Sequence, residues 1–509
     1  MSNALVLNTK KFIPSPQQQA FFEWVQNGRG SCVLEAVAGA GKTSTLVKAL
    51  NMMAGSVFFG AYNKKIAEEI KARAASSTAV ISTMHAAGFA AWRRASRFVK
   101  VDGDKCKLIF RAACVRNMQY SKFMSPVLQL VSLAKQNGFG LLNFPSMKSR
   151  AAWMNLVDTY DVETFDEDTQ IDNTDLILKL ALKTLEASIE QDMKTIDFDD
   201  MIYAPLYHGC SIDKYDWVLV DEAQDTNGTR RELALKMMHE KSRMVVVGDS
   251  RQAIYQFQGA SSNAMDLIAT AVNAVKMPLT TTFRCPKSVV KLAHTWVTHI
   301  QADEKAPEGL VRSANIADLK SEVAPGDAVL CRYNAPLLKY VYQLIAAGIA
   351  AKIEGREIGN GIKALAGRWK VKSLDALVDK VDAFRDRETA KYRAKDQEAK
   401  AVAIEDKVAC LMVMVERVRS INPDTKDPVF AINAEVDKIF SDDPNAKVVL
   451  LSSIHRSKGR EWKKVVWLQT APNKRAKLAW QMEAEANLSY VACTRSMHEL
   501  VLVDISAEK

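Results

Sequence analysis

No apolar run in this 509-residue chain approaches the ~20 residues that a membrane-crossing helix needs. The opening MSNALVLNTKKF lacks the long apolar core of a signal peptide. Both absences argue against a membrane protein or an exported one, and the expectation is a cytoplasmic protein. Cysteine is sparse and scattered, at Cys32, Cys106, Cys114, Cys210, Cys285, Cys331, Cys410 and Cys493. None of these forms a CxxC pair, so a zinc site is not expected. Without a secretion signal they fit reduced thiols. Internal repeats and long low-complexity tracts are also missing. Glycine and proline are absent from residues 368–422. What is present is ordinary for a globular protein, with 48% hydrophobic and 25% charged residues. A single core stops growing at roughly 250–300 residues, so two or more domains are expected. The formal net charge of +10 suits a polyanionic partner such as nucleic acid.

Strand-like and helix-like segments alternate at the start. SCVLEAV (31–37), SVFFGAY (56–62) and TAVISTMH (78–85) read as strands, with helical patterns between them. Such alternation predicts βαβ units and a parallel sheet. The strand signal fades over 91–190 and returns in WVLVDE (217–222) and RMVVVGD (243–249). DAVLCRY (327–333), AKVVLLSSI (446–454), KKVVWLQT (463–470) and ELVLVDI (499–505) predict a second α/β region. Between them, Leu374, Leu377, Val378, Val381 and Phe384 recur at helical spacing. The expected division is therefore a first α/β domain over 1–90 and 191–276, interrupted by a helical insertion at 91–190. A second α/β domain follows over 277–360 and 445–509, with a helical insertion at 361–444. The charged run RDRETAKYRAKDQEAK (385–400) reads as a solvated helix face, with a contribution to DNA binding as the alternative.

AVAGAGKTST (36–45) follows a predicted strand and opens a predicted helix, with Ala36 where a glycine is more usual. This is the pattern of a phosphate-binding loop, and Ala38, Gly39, Ala40, Gly41, Lys42, Thr43 and Ser44 are its candidate nucleotide contacts. Gly39 and Gly41 permit tight turns close to phosphate. The helix start offers N–H groups and a positive dipole end. Lys42 would reach the β- and γ-phosphates, and Thr43 would bind Mg²⁺. Downstream, WVLVDEAQDT (217–226) sets Asp221, Glu222, Gln224 and Asp225 directly after an apolar strand. Charges so placed need partners. Asp221 is expected to hold the Mg²⁺ directly or through water, and Glu222 to orient and deprotonate the attacking water. The implied reaction is hydrolysis of a nucleoside triphosphate.

VDEAQD resembles the second motif of superfamily 1 helicases, in particular the UvrD/Rep/PcrA group. Further segments resemble that group's motifs in order: SPQQQAFF (15–22), AYNKKIAEEI (61–70), TMHAAGF (83–89), IDFDDMI (196–202), VVGDSRQAIYQFQGA (246–260), LTTTFRCP (279–286), SSIHRSKGREW (452–462) and EAEANLSYVACTRS (483–496). The resemblance covers most of the chain. It implies two RecA-like α/β domains of the P-loop NTPase fold with helical insertions, and ATP bound between them. It implies ATP and Mg²⁺ as cofactors, and single-stranded DNA and single/double-strand junctions as partners. No membrane partner is expected, and a monomer is the expectation, with protein partners and oligomeric state left open by the sequence. Gln18 would read the adenine, although Gln17 or Gln19 could fill the role. Gln252 would sense the γ-phosphate, Arg284 and Arg495 would stabilise charge on the transferring phosphoryl group, Phe283 would stack on adenine, and Glu461 would contact the sugar. Tyr62, His85, Tyr255 and Phe257 are candidates for stacking on bases. Asn63, Lys64, Ser453, His455 and Lys458 could contact or orient the DNA.

This chain departs from the family in three ways. Gln258 stands where relatives have arginine, Arg460 stands where leucine is common, and the second insertion is shorter. The resemblance implies an ATP-dependent DNA helicase moving 3′ to 5′, without a fused nuclease domain. A translocase that strips proteins from single strands would share every motif. A DNA-binding scaffold with weak hydrolysis is a third reading.

Overall fold

A computed structural model describes residues 12–74, 77–96, 98–115, 117–160, 162, 164–166, 171–190, 194–254, 263–394, 398–441, 448–471 and 479–507. The chain divides into two compact units, Met1–Thr281 and Thr282–Lys509.

The first unit is built on six parallel strands: β1 (Cys32–Ala36), β2 (Val57–Ala61), β3 (Val80–Thr83), β4 (Tyr215–Val220), β5 (Met238–Gly248) and β6 (Val275–Leu279). Their spatial order is β6-β1-β5-β4-β2-β3. The central strands are continuous apolar runs because helices cover both faces of the sheet. Phe58, Val218 and Val246 are fully buried as a result. Registers Glu35 to Gly248 and Val220 to Val246 set the ends of β1, β5 and β4 side by side. Ligands of open parallel sheets bind at such carboxyl ends. Helices α1 (Pro16–Asn27), α2 (Lys42–Leu50), α3 (Lys64–Arg73) and α4 (Met84–Ala95) frame that edge. The edge strand β6 lies across the 276/277 boundary expected from sequence.

Between α4 and β4 the helices Lys105–Cys114, Met124–Gln136, Arg150–Tyr160 and Thr174–Ser188 enclose a core of their own around Phe110, Leu130, Trp153 and Leu185. A buried ionic knot fastens this bundle. Lys135 Nζ lies 2.7 Å from both Asp197 and Asp200, and Lys105 Nζ lies 2.6 Å from Asp200. Buried charges persist only when paired in this way.

The second unit carries seven parallel strands: β7 (Leu310–Ala314), β8 (Ala328–Cys331), β9 (Ala351–Glu354), β10 (Phe440–Ser441), β11 (Val449–Ser453), β12 (Trp462–Gln469) and β13 (Ser496–Asp504). Their order is β7-β13-β12-β8-β11-β9-β10. The helices Leu374–Ala394, Glu398–Ile421 and Pro428–Ile439 interrupt the sheet in sequence. They do not form a separate body. Leu377, Val381, Leu411 and Met414 belong to the same buried cluster as Val329, Ile353, Leu451 and Val501 of the sheet. Asp406 of the second of these helices also caps helix Asn334–Ala346. It accepts from the N–H groups of Asn334 at 3.0 Å and Ala335 at 2.9 Å. Both sheets have the RecA-like arrangement of parallel strands joined by helices. Among the described residues, no helix is long and apolar enough to cross a membrane.

Candidate functional site

The loop after β1 turns twice through the left-handed region, with φ of +72° at Gly39 and +74° at Gly41. Side chains are strained there, which is why glycine occupies both places. Gly41 caps α2 with no side-chain hydrogen bond, so backbone alone frames the helix start. That arrangement suits an anion. The loop is braced from behind by Gln18, which is buried. Its amide donates to Thr45 Oγ1 at 2.8 Å and to the Ala40 carbonyl at 3.4 Å, and its Oε1 accepts from the Ser15 N–H at 2.9 Å. Gln17 makes two bonds to Thr280, and Gln19 pairs with Glu23. Ser44 accepts a 2.6 Å hydrogen bond from Arg73 of α3.

Lys42 extends from this loop toward the acids after β4, its Nζ 3.8 Å from Glu222 Oε1. Thr43 Oγ1 faces Asp221 Oδ2 at 3.5 Å. Asp221 is buried, and its carboxyl is pushed up to about 7, first by burial and then by the charge of Glu222. A divalent cation would reverse that balance. Glu222 has φ +50°. A non-glycine residue costs roughly 1–2 kcal/mol there, and such strain concentrates at functional sites.

One side chain that sequence reasoning left without a role connects these parts. Gln224 donates to Glu222 Oε2 at 2.5 Å and accepts from the Asp249 N–H at 3.1 Å. Asp249 in turn accepts from Gln252 Nε2 at 2.6 Å. Glu35, from β1, accepts from the N–H of Ser250 at 3.0 Å and from its hydroxyl at 2.6 Å. A Cβ at Gly248 would stand 2.4 Å from Gln224 Oε1, so glycine is required for the approach. The sequence signal for Gln224 and Asp249 was a polar residue just beyond each of two apolar strands. Which strands are neighbours was not legible.

On the other side of Glu222 lies a shallow open cleft, lined by Tyr62, His85, Asp221, Glu222, Asp225 and Arg230 among others. Tyr62 is 41% exposed. Burial, then the charge of Arg230, lowers His85 to about 4, so its ring is neutral near pH 7. Asn63 caps α3 by accepting from the Ile66 N–H at 2.9 Å, and Lys64 is exposed beside Glu68. Tyr255, Phe257 and Gln258 lie outside the described residues.

In the second unit the candidates fall into two groups. Arg284 Nε donates to Glu461 Oε2 at 2.5 Å, and Phe283 is 45% exposed next to it in sequence. Arg495 is buried, donating to the carbonyls of Val491 at 2.9 Å and Arg460 at 3.1 Å. The other group is the turn after β11. The Ser453 carbonyl accepts from the N–H groups of Arg456 and Ser457. His455 is lowered to about 3, by burial and then by Arg332. Lys458 is half-buried in the same turn. Arg460 pairs with the buried Glu354 at 2.6 Å, which gives the departure at this position a structural role.

Two family models match the chain. The UvrD/REP helicase N-terminal domain matches residues 16–272, and the UvrD-like helicase C-terminal domain matches residues 212–507. The ATP-dependent DNA helicase UvrD2 of Mycobacterium tuberculosis is 24% identical over 365 residues, covering 60% of this chain and 51% of its own length. The ATP-dependent DNA helicase Rep of Escherichia coli is 24% identical over 315 residues, covering 56% of this chain and 43% of its own length. The ATP-dependent DNA helicase PcrA of Leuconostoc citreum is 22% identical over 320 residues, covering 57% of this chain and 39% of its own length. The chain thus spans about half the length, or less, of the curated relatives it matches. With a phosphate loop and strand-end acids meeting at one sheet edge, and family matches over both units, the chain belongs to the UvrD/Rep helicase family.

Proposed function

We propose that this protein is an ATP-dependent DNA helicase that moves 3′ to 5′ along single-stranded DNA. The observation that carries the reading is the convergence of Lys42, Asp221 and Glu222 at one sheet edge, with Glu222 tied through Gln224 and Asp249 to Gln252. Glu222 is held to orient water and accept its proton as the nucleophile attacks. Lys42 steadies the phosphates. Among the described residues, no cluster of three His, Cys, Asp or Glu could hold a metal. Asp221 and Thr43 nonetheless fit Mg²⁺, which is typically bound by one or two carboxylates together with nucleotide phosphates and water. When bound, Mg²⁺ would neutralise phosphate charge. Gln252 would report the γ-phosphate through Asp249 and Gln224 to Glu222. Tyr62 and His85 share a cleft with Glu222, so a base stacked there would lie close to the hydrolytic acid.

The roles of Phe283, Arg284, Glu461 and Arg495 toward nucleotide, and of Ser453, His455 and Lys458 toward DNA, belong to this proposal. The exposed Phe283 ring supports stacking. Arg495 would have to exchange carbonyl partners to act on phosphate. The direction of movement rests on family resemblance.

The test is ATP-dependent opening of two short duplexes, one with a 3′ and one with a 5′ single-stranded tail, with Lys42→Ala as control. Opening of the 3′-tailed duplex alone is the expected result. Preference for the 5′ tail overturns the direction. DNA-stimulated hydrolysis without opening would point instead to a translocase, and DNA binding with neither activity to a scaffold.

A further inference from the structure

Arg230 has no role in the hydrolytic chemistry above. It stands in the first turn of helix Gly228–Lys236, directly after the acids, and lines the cleft with Tyr62 and His85. It is half-buried. A guanidinium has five N–H donors in a rigid fork. Here a single long bond of 3.5 Å reaches the Asp225 carbonyl, and among the described residues no carboxylate pairs with it. Other arginines near strand ends are engaged, Arg284 with Glu461 and Arg332 with Glu485. An arginine left in this state, partly desolvated and lining a cleft, is matched to an incoming anion.

The cleft specifies which anion. Its floor is the end of β2 at Gly60 and Ala61, and the Tyr62 ring is exposed beside it. An exposed aromatic next to a cation is the pairing by which single strands are gripped, base on ring and phosphate on guanidinium. Charge is unevenly spread. Asp221, Glu222 and Asp225 also line the cleft. Tyr62 feels the charges of Asp225 and Glu222 as well as that of Arg230, whereas His85 feels that of Arg230. The His85 and Arg230 side is therefore where a phosphodiester meets the least negative charge. The neutral imidazole can donate to a phosphate oxygen or stack without adding charge.

We propose that Arg230 binds a backbone phosphate of single-stranded DNA whose neighbouring base stacks on Tyr62. The proposal rests on the DNA-track reading above. Because Arg230 is eight residues beyond Glu222 on one continuous turn and helix, it also gives DNA a direct mechanical connection to the acid that activates water.

The experiment is fluorescence anisotropy of a labelled oligo-dT strand with the full chain, titrated at several salt concentrations. Wild type, Arg230→Ala, Arg230→Gln, Arg230→Lys and Tyr62→Ala are compared, each first checked by thermal melting. Loss of one phosphate contact lowers the slope of log affinity against log salt by about 0.7 for a single strand. The expected result is that Arg230→Ala and Arg230→Gln weaken binding roughly fivefold to tenfold at low salt and reduce the slope by about that amount. Arg230→Lys keeps the wild-type slope. Tyr62→Ala weakens binding with the slope unchanged. If the uncharged variants keep the wild-type slope, Arg230 contacts no phosphate and the proposal fails. If wild type itself fails to bind oligo-dT at low salt, the DNA-track reading fails first, and the proposal falls with it.

Discussion

At the scale of single residues, Glu222 and Gln224 separate chemistry from positioning. Glu222→Gln keeps the shape and removes the proposed base. Hydrolysis should fall by roughly 10²–10⁴ while ATP affinity holds, measured by single-turnover kinetics beside nucleotide titration. Gln224→Ala leaves Glu222 in place beside Lys42 but removes the amide that donates to its Oε2 and strips the Asp249 N–H of its partner. A hydrogen bond to a charged group contributes about 1.5–3 kcal/mol, so the rate should fall roughly tenfold to a hundredfold. An unchanged rate would show that Glu222 needs no such support. His85 carries a pH signature. Its folded-state value near 4 lies below the ordinary 6.5. The unfolded chain therefore takes up a proton that the native state refuses, and the stability contributed by neutral His85 is lost as pH falls from about 6.5 to about 4. His85→Gln cannot titrate. The stability gap between wild type and His85→Gln, read from urea midpoints at pH 7 and pH 4.5, should shrink at the lower pH.

At the scale of elements, legibility followed burial. β1, β2, β4 and the second half of β5 are largely buried apolar runs, and each was visible as such. β6 reads VKMPL and β7 reads LVRSA, both largely exposed edge strands. Pro278 argues against a central strand but is tolerated at an edge, where an N–H need not be paired. The phosphate loop was legible because its chemistry is local, a few residues between one strand and one helix. The Gln224–Asp249 bridge was not, because it depends on β5 lying between β1 and β4. The Asp406 cap was hidden for the same reason, as its carboxylate reaches a helix start 72 residues earlier. That cap gives a prediction at this scale. Asp406→Ala removes the acceptor from the N–H groups of Asn334 and Ala335 and leaves them inside the unit. Loss of a helix cap costs about 0.5–2 kcal/mol, and a urea unfolding series should show a lower midpoint with the slope unchanged. A neutral result would mean that solvent or another group takes over the cap.

At the scale of the whole molecule, the two insertions differ in kind, and the difference can be tested by removal. The first encloses its own core around Phe110, Leu130, Trp153 and Leu185. Among the described residues, the second has no separate core. Leu374, Leu377, Val381, Leu411, Met414 and Val415 are buried in the cluster that also holds β8, β9 and β11. Burying a large apolar side chain contributes roughly 1.5–3 kcal/mol. Six of them outweigh or match the whole margin of a domain, about 5–15 kcal/mol, before the sheet face they cover is counted. Sequence order presents residues 361–444 as a detachable insertion, yet the packing of helices Leu374–Ala394, Glu398–Ile421 and Pro428–Ile439 makes them one wall of the second α/β unit. Replacing Leu374–Ile421 with a short flexible linker should therefore abolish cooperative unfolding of that unit. Hydrogen exchange should show β8, β11 and β12 unprotected, while β1, β4 and β5 of the first unit keep their protection. Retention of slow exchange in β8 and β11 would show that the sheet closes its core without these helices. Regulation by an independently moving second insertion would then be physically open to this chain. With the shared core intact, an inward-facing wall cannot swing without opening the sheet it covers, so movement must come from elsewhere.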